Sequence, residues 1–250
     1  MAREKEARNE QLIKNARGKI FAYGSFRLGV YGPGSDIDTL IVAPKYVNLD
    51  DYFRLFPPLL LKMAPEGAVT NFTAVPEAHV PIMKFEFLGI SIDLIFSRLA
   101  VLKELPAQNF DLQDMNLLRG LDERELRALN GPRVSDEIMS LIPEHATFRR
   151  ALRAIKLWAK RRAIYANIMG FPGGVAWAIM VARVCQLYPR AASSLVLLKF
   201  FALMMRWQWR VPVVLKQIEQ GPLSAPVWDQ QVRANALMHT HIHTHTHTHT

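Results

Sequence analysis

Two aspartates one residue apart, Asp36 and Asp38, run straight into the apolar string Leu40-Ile41-Val42. Side chains alternate faces along a strand, so the two carboxylates point the same way and Ile37 points opposite. Like charges set so close repel one another unless a cation sits between them. Mg²⁺ answers that need, because it takes carboxylate and phosphate oxygens together. Upstream, Ile20 to Tyr23 reads as a short strand, and Gly24-Ser25 starts a turn of helix whose free N–H groups form a ready anion site. Gly32-Pro33-Gly34 loops between the two halves. Each half alone has a plain explanation, a solvated Asp-x-Asp turn or a helix cap. Together, with a strand directly after the aspartates, they point to the handling of a nucleoside triphosphate.

A third carboxylate follows. Asn71 to Ala74, Ile82 to Phe87 and Ile90 to Phe96 read as strands, with a tight turn at Gly89. Asp93 lies in the middle of the last, between Ile92 and Leu94, where a carboxylate is costly to bury without a partner. Should this strand lie beside the one that carries Asp36 and Asp38, Asp93 becomes a third metal ligand. Lys84 shares its strand face with Ile82 and Glu86, so the apolar residues fall on the other side.

Elsewhere the pattern is helical. Leu49 to Leu61 reads as a helix broken at Pro57-Pro58, with a loop from Met63 to Gly67. Glu123 to Leu129 is expected to stop at Asn130-Gly131-Pro132, and Val134 to Ile142 to form a separate helix ended by Pro143. Thr147 is placed to cap a helix running to about Ala163. On it Phe148, Leu152, Ile155 and Ala159 form an apolar stripe, and Arg149, Arg153, Lys156 and Lys160 repeat the spacing one residue on. Like charges at that spacing repel and have no acid near them in sequence, which favours a phosphate-binding face over a merely solvated one. Gly173-Gly174 opens an apolar helix to Tyr188, and glycines there let a flat ring or a phosphate approach the backbone. Ala192 to Arg206 is a further helix, and Trp207 and Trp209 after it read as packing residues.

Charge is unevenly spread. Of 31 Lys and Arg residues, 13 lie between His145 and Ile218, a stretch with no Asp or Glu, whereas the rest of the chain is net acidic. An acidic, metal-holding part joined to a basic part suits a partner that carries phosphate. Half the residues are apolar and 21% charged, which marks a globular chain. No apolar run is long enough for a membrane span, no lipidation motif appears, and the start MAREKEARNE lacks the apolar core of a signal peptide. The first 18 residues read as an exposed helix end. The one cysteine, Cys185, excludes an internal disulfide and sits in an apolar pattern that buries it. From Met238 the chain alternates His and Thr, holds six of the eight histidines, and is expected to be disordered. A CA dinucleotide repeat would encode such a tail.

Gly-Ser, a spacer and Asp-x-Asp resemble the signature of the nucleotidyltransferase superfamily. The longer strings GSFRLGVYGPGSDIDTL and LRAIKLWAKRRAIYANIMGFPGGVAWAIMVARVCQLYP are similar to those of eukaryotic nuclear poly(A) polymerases, and the resemblance extends over about residues 7 to 232. It implies an α+β fold: a polymerase-β-like mixed sheet with helices over 1–130, then part of an α-helical middle domain over 131–232, before the disordered 233–250. It implies transfer of AMP from ATP to an RNA 3′ end, with Asp36, Asp38 and Asp93 catalytic and holding two Mg²⁺ ions, Mn²⁺ being an alternative. Tyr23, Gly24, Ser25 and Ser35 fall among its nucleotide-binding positions. So do Lys156 and Tyr165 on the triphosphate, Asn167 on the ribose, and Gly174 and Val175 by the base. It gives Lys84 a base or RNA contact, and Lys160 and His79 join the RNA set, although His79 stands where the family commonly has Phe. Nuclear location and 3′-end processing factors as partners follow from the same likeness. The family also has a segment before residue 1 and an RNA-binding domain after Val232. Without those parts the apolar surface from Ala192 to Trp209 is expected to be uncovered. The alternatives are a weak or inactive nucleotide- and RNA-binding fragment, a related transferase with another acceptor, or a mispredicted product.

Overall fold

The computed structural model describes residues 17–107, 110–209 and 211–217. The expectations for residues 1–16, for the stretch from 218 on and for the His-Thr tail lie outside the described residues. One mixed five-stranded sheet forms the first half, in the order β1-β2-β5-β4-β3. Its strands are β1 (Lys19–Ala22), β2 (Ile37–Pro44), β3 (Val69–Val75), β4 (Ile82–Phe87) and β5 (Ile90–Leu99). Only β2 and β5 run parallel; the other pairs are antiparallel.

Alternation along the strands divides two cores. Leu40 and Val42 of β2 and Ile95 and Leu99 of β5 face one side and pack on Ala128 and Leu129. Ala43 of β2, and Leu94 and Phe96 of β5, face the other and cover Tyr52. Tyr52 lies on α2 (Leu49–Met63), which follows the single helical turn α1 (Gly24–Arg27). Contrary to expectation, α2 runs unbroken through Pro57 and Pro58 and past Leu61. Two prolines remove two helical N–H donors. Tertiary packing outweighs that loss: Tyr52 is 1% exposed, its ring stacks on Phe96 at 4.8 Å, and its hydroxyl donates to the Leu94 carbonyl at 3.2 Å. A reciprocal cap between Asn48 and Asp51 secures the start.

The second half is helical: α3 (Glu123–Ser140), α4 (His145–Arg161), α5 (Gly174–Leu187) and α6 (Ser193–Arg206). The stop expected at Asn130-Gly131-Pro132 is absent, and α3 is one helix across it. Pro132 gives no N–H to the Ala128 carbonyl, yet it is buried, and the Tyr23 ring lies against Gly131 so closely that a Cβ there would come within 2.8 Å of it; one turn on, Ser135 Oγ donates to the Gly131 carbonyl at 2.9 Å. The cap of α4 is Glu144, not Thr147; its carboxylate accepts from the Ala146 and Thr147 amides, and the Thr147 side chain first, then those two amides, hold its pKa down to about 2. The apolar stripe of α4 is buried as its spacing requires, Phe148, Leu152 and Ala159 fully so, against Trp177 and Val181 of α5. Cys185 is buried there too, and burial raises its thiol pKa to about 11. Leu28 and Val30, just after α1, belong to this helical core and stitch the halves together. Trp207 packs on it as expected, but Trp209 is 64% exposed. The outer face of α6 exposes Leu198 and Met205, in line with the expected uncovered surface. Among the described residues no helix is long and apolar enough to cross a membrane.

Candidate active site

Asp36 stands immediately before β2 and Asp38 within it. Parallel pairing sets Asp38 directly beside Asp93 of β5, so a register between distant segments brings the third carboxylate to the first two. One oxygen of each lies within 4.8 Å of the others. Asp38 and Asp93 emerge from the same sheet face as Leu40 and Ile95, because their positions differ by an even number of residues. Burial, then Asp36 and Asp93, push the pKa of Asp38 up to about 6, against the pull of Lys84 and Lys156. Lys84, opposite Asp93 on β4, donates from Nζ to the Asp93 carboxylate. An ammonium drawn onto the cluster, and a carboxylate that resists ionising within it, mark a place where a cation is favourable.

Gly24 must be glycine. Its φ is +61°, and a Cβ would lie 2.2 Å from Asp38 Oδ2. Its amide, expected to be free for an anion, donates instead to Ser135 Oγ of α3 at 3.0 Å. The Tyr23 hydroxyl is held well above its ordinary pKa by burial and then by the three aspartates, Asp38 foremost, and so stays protonated.

Lys156 and Lys160 face the carboxylates from α4 across a cleft of about 610 Å³. Its walls include Tyr23, Gly24, Ser25, Ser35, Asp36 and Asp38 from the sheet half, and Tyr165, Gly174 and Val175 from the helical half. Lys156 is half-buried; burial and then Lys160 lower its pKa, while Asp36 and Asp38 oppose that. Lys160 lies over the Tyr165 ring at 5.5 Å. Gly174 lets the Tyr165 hydroxyl close in, since a Cβ there would come within 3.0 Å of it. Burial and then Asp36 raise the pKa of Tyr165. The cleft thus has an anionic pole suited to divalent cations and a cationic wall suited to phosphates.

The basic stripe of α4 divides in two. Arg149 Nε, Arg153 Nη2 and Lys156 Nζ donate to the carbonyls of Leu28, Gly29 and Val30 at 3.1, 2.7 and 3.3 Å. Arg149 and Arg153 therefore only clamp the chain after α1, and the stripe is not the continuous phosphate face expected; Lys156 joins that clamp and also lines the cleft with Lys160. Gly29 at φ +69° makes room for Arg149, whose Nε would lie 2.7 Å from a Cβ. Asn167 sits exposed on the short 3₁₀ turn Asn167–Met169 beside Gly173. His79 is exposed between β3 and β4, away from the cleft, and its carbonyl accepts from Arg127. Asn130, Gly131, Val134 and Ser135 of α3 also line the cleft and were not foreseen. Reading Asn-Gly-Pro as a helix stop hid them; an i, i+4 pattern carried through Pro132 would have put these residues on one face.

Residues 1–142 match the poly(A) polymerase nucleotidyltransferase domain, and residues 147–249 the poly(A) polymerase central domain. The chain is 55% identical over 231 residues to poly(A) polymerase pla1 of Schizosaccharomyces pombe, an alignment covering 92% of this chain. It is 52% identical to poly(A) polymerase PAPalpha of Candida albicans over the same share. The chain spans about 40% of the length of these curated relatives. The polymerase core of TRAMP, an RNA surveillance complex, is similar with a TM-score of 0.49 at 18% identity, over 84% of this chain and 61% of that one.

Proposed function

Because the chain belongs to the poly(A) polymerase family, we propose that its cleft transfers AMP from ATP to the 3′ end of RNA without a template. The observation that carries this reading is the carboxylate cluster of Asp36, Asp38 and Asp93, two members of which, Asp36 and Asp38, line one cleft together with Lys156 and Lys160. A nucleotidyltransferase sheet with such a cluster implies use of divalent cations; two Mg²⁺ ions, with Mn²⁺ as an alternative, are our finer reading. Bound there, they would neutralise the triphosphate and lower the pKa of the attacking hydroxyl.

The chain's own side chains do the rest. Lys156 and Tyr165 hold the triphosphate, and Asn167 takes the ribose. Gly174 and Val175 present backbone and an apolar edge to the base. Lys84 and Lys160 draw the RNA phosphates. The 3′-oxygen bonds to the α-phosphorus as the bond from that phosphorus to the bridging oxygen breaks, and pyrophosphate departs. Asp93 accepts the proton of the hydroxyl. Family likeness also supports a nuclear location and 3′-end processing factors as partners.

The purified chain, given an oligo(A) primer, ATP and Mg²⁺, is expected to extend the primer slowly and distributively. Binding of ATP and RNA with no extension would instead favour a nucleotide-binding fragment, a reading motivated by the 40% share of the relatives' length that it spans. Absence of ATP binding by the folded chain would refute the proposal.

A further inference from the structure

Ser135 belongs to none of the motifs that mark the cleft, yet its side chain ties the two walls together. The Gly24 amide donates to Ser135 Oγ at 3.0 Å, and Ser135 Oγ donates to the Gly131 carbonyl at 2.9 Å. A serine hydroxyl has one proton, so with that proton on Gly131 its oxygen is left to accept from Gly24. Ser135 is 4% exposed.

The position of Gly24 is defined from both sides. Toward the sheet it lies against the Asp38 carboxylate, where not even a Cβ would fit. Toward α3 it is held by Ser135. The preceding turn of the same helix meets Tyr23, whose ring packs on Gly131. The segment Tyr23-Gly24-Ser25 is therefore seated on one face of α3, 111 residues away in sequence, and it carries Ser25 to the cleft beside Asp38.

We propose that Ser135 is a positioning residue for nucleotidyl transfer: acting through the Gly24 amide, it sets where Ser25 stands relative to the Asp38 carboxylate. The proposal deepens the reading of this cleft as the ATP site and rests on it. Without the hydroxyl, the Gly24 N–H loses its acceptor in a partly buried place, and the segment is free to shift. A shift of about 1 Å between reacting groups lowers turnover by up to about 100-fold.

The test compares wild type, Ser135→Ala and Ser135→Thr in primer extension and in amide hydrogen exchange of the peptide spanning 22–28. Ser97→Ala serves as a control, because Ser97 is 0% exposed and its hydroxyl lies 3.2 Å from the Arg98 and Glu125 carbonyls, either of which can take its one proton, away from the cleft. Ser135→Ala is expected to lower kcat about 10- to 100-fold with a smaller change in KM for ATP, and to speed exchange at Gly24. Ser135→Thr, which keeps the hydroxyl, returns both toward wild type. Ser97→Ala lowers the melting temperature without touching kcat. Wild-type kcat and exchange in Ser135→Ala would overturn the proposal, as would a kcat loss in Ser97→Ala that tracks melting temperature in the same way. A folded wild-type chain that neither binds ATP nor extends the primer would overturn the reading of the cleft and this inference with it.

Discussion

Asp38 is a carboxylate that resists ionising, so replacing it with asparagine should change how stability depends on pH. Its pKa stands at about 6 against an ordinary 3.8, through burial first and then Asp36 and Asp93. At 1.36 kcal/mol per pKa unit the ionised form is disfavoured by about 3 kcal/mol. The side chain is only partly buried, and solvent screening reduces this to about 1–2 kcal/mol. The folded chain binds the Asp38 proton more tightly than the unfolded chain does. The associated stability is therefore fully present below about pH 4 and is lost as pH rises through about 6. Urea unfolding in a chelator, at steps from pH 4 to 7, reads this directly. Wild type should lose about 1–2 kcal/mol relative to Asp38→Asn across that range, leaving the variant the more stable at pH 7. Mg²⁺ should restore wild type and not the variant, since only a ligand that binds the folded state stabilises it. Parallel pH curves, or a variant less stable than wild type at pH 7 in chelator, would refute the argument that these carboxylates await a cation.

Other substitutions separate the roles of neighbouring groups. Asp36→Ala should abolish transfer while leaving the melting temperature unchanged or slightly raised; a sharp fall would give the carboxylate a structural role. Lys156→Ala should weaken ATP binding, measured calorimetrically, by about 1.5–3 kcal/mol; unchanged affinity would leave Lys156 only its bond to the Val30 carbonyl. Lys160→Ala should weaken RNA binding and lower the slope of log K against log salt by about 1, and an unaltered slope would place Lys160 off the RNA path. Gly29→Ala should destabilise the chain by about 1–3 kcal/mol, combining left-handed backbone strain with displacement of Arg149 from the Leu28 carbonyl. In an Arg149→Ala background only the backbone part, about 1–2 kcal/mol, should remain. Equal costs in the two backgrounds would dismiss the steric contact.

Much of the site was legible because its signals are local. Asp36-Ile37-Asp38 before an apolar run, and Asp93 inside one, follow from period-two alternation. The buried stripe of α4 follows from helical spacing, and both kinds of pattern act over a few residues. Misreadings occurred where local rules met distant partners. Pro57-Pro58 and Gly131-Pro132 read as helix stops, yet Tyr52 on Phe96 and Tyr23 on Gly131 hold those helices continuous. The spacing of Arg149, Arg153 and Lys156 showed a basic row in want of partners, and nothing near in sequence named the partners as carbonyls 121 to 126 residues away.

From the sequence alone come the chemistry of the site and the elements that carry it: carboxylates at the start of one strand and inside another, glycines at turns, lysines on one helix face. Tertiary structure alone decided that β2 pairs in parallel with β5, which sets Asp38 against Asp93, and that α3 passes unbroken beneath the cleft to place Ser135 on Gly24. The physical reason is range. Backbone propensity and side-chain periodicity act between near neighbours, whereas register between distant strands and the docking of one helix face on a loop arise only when the whole core is buried at once.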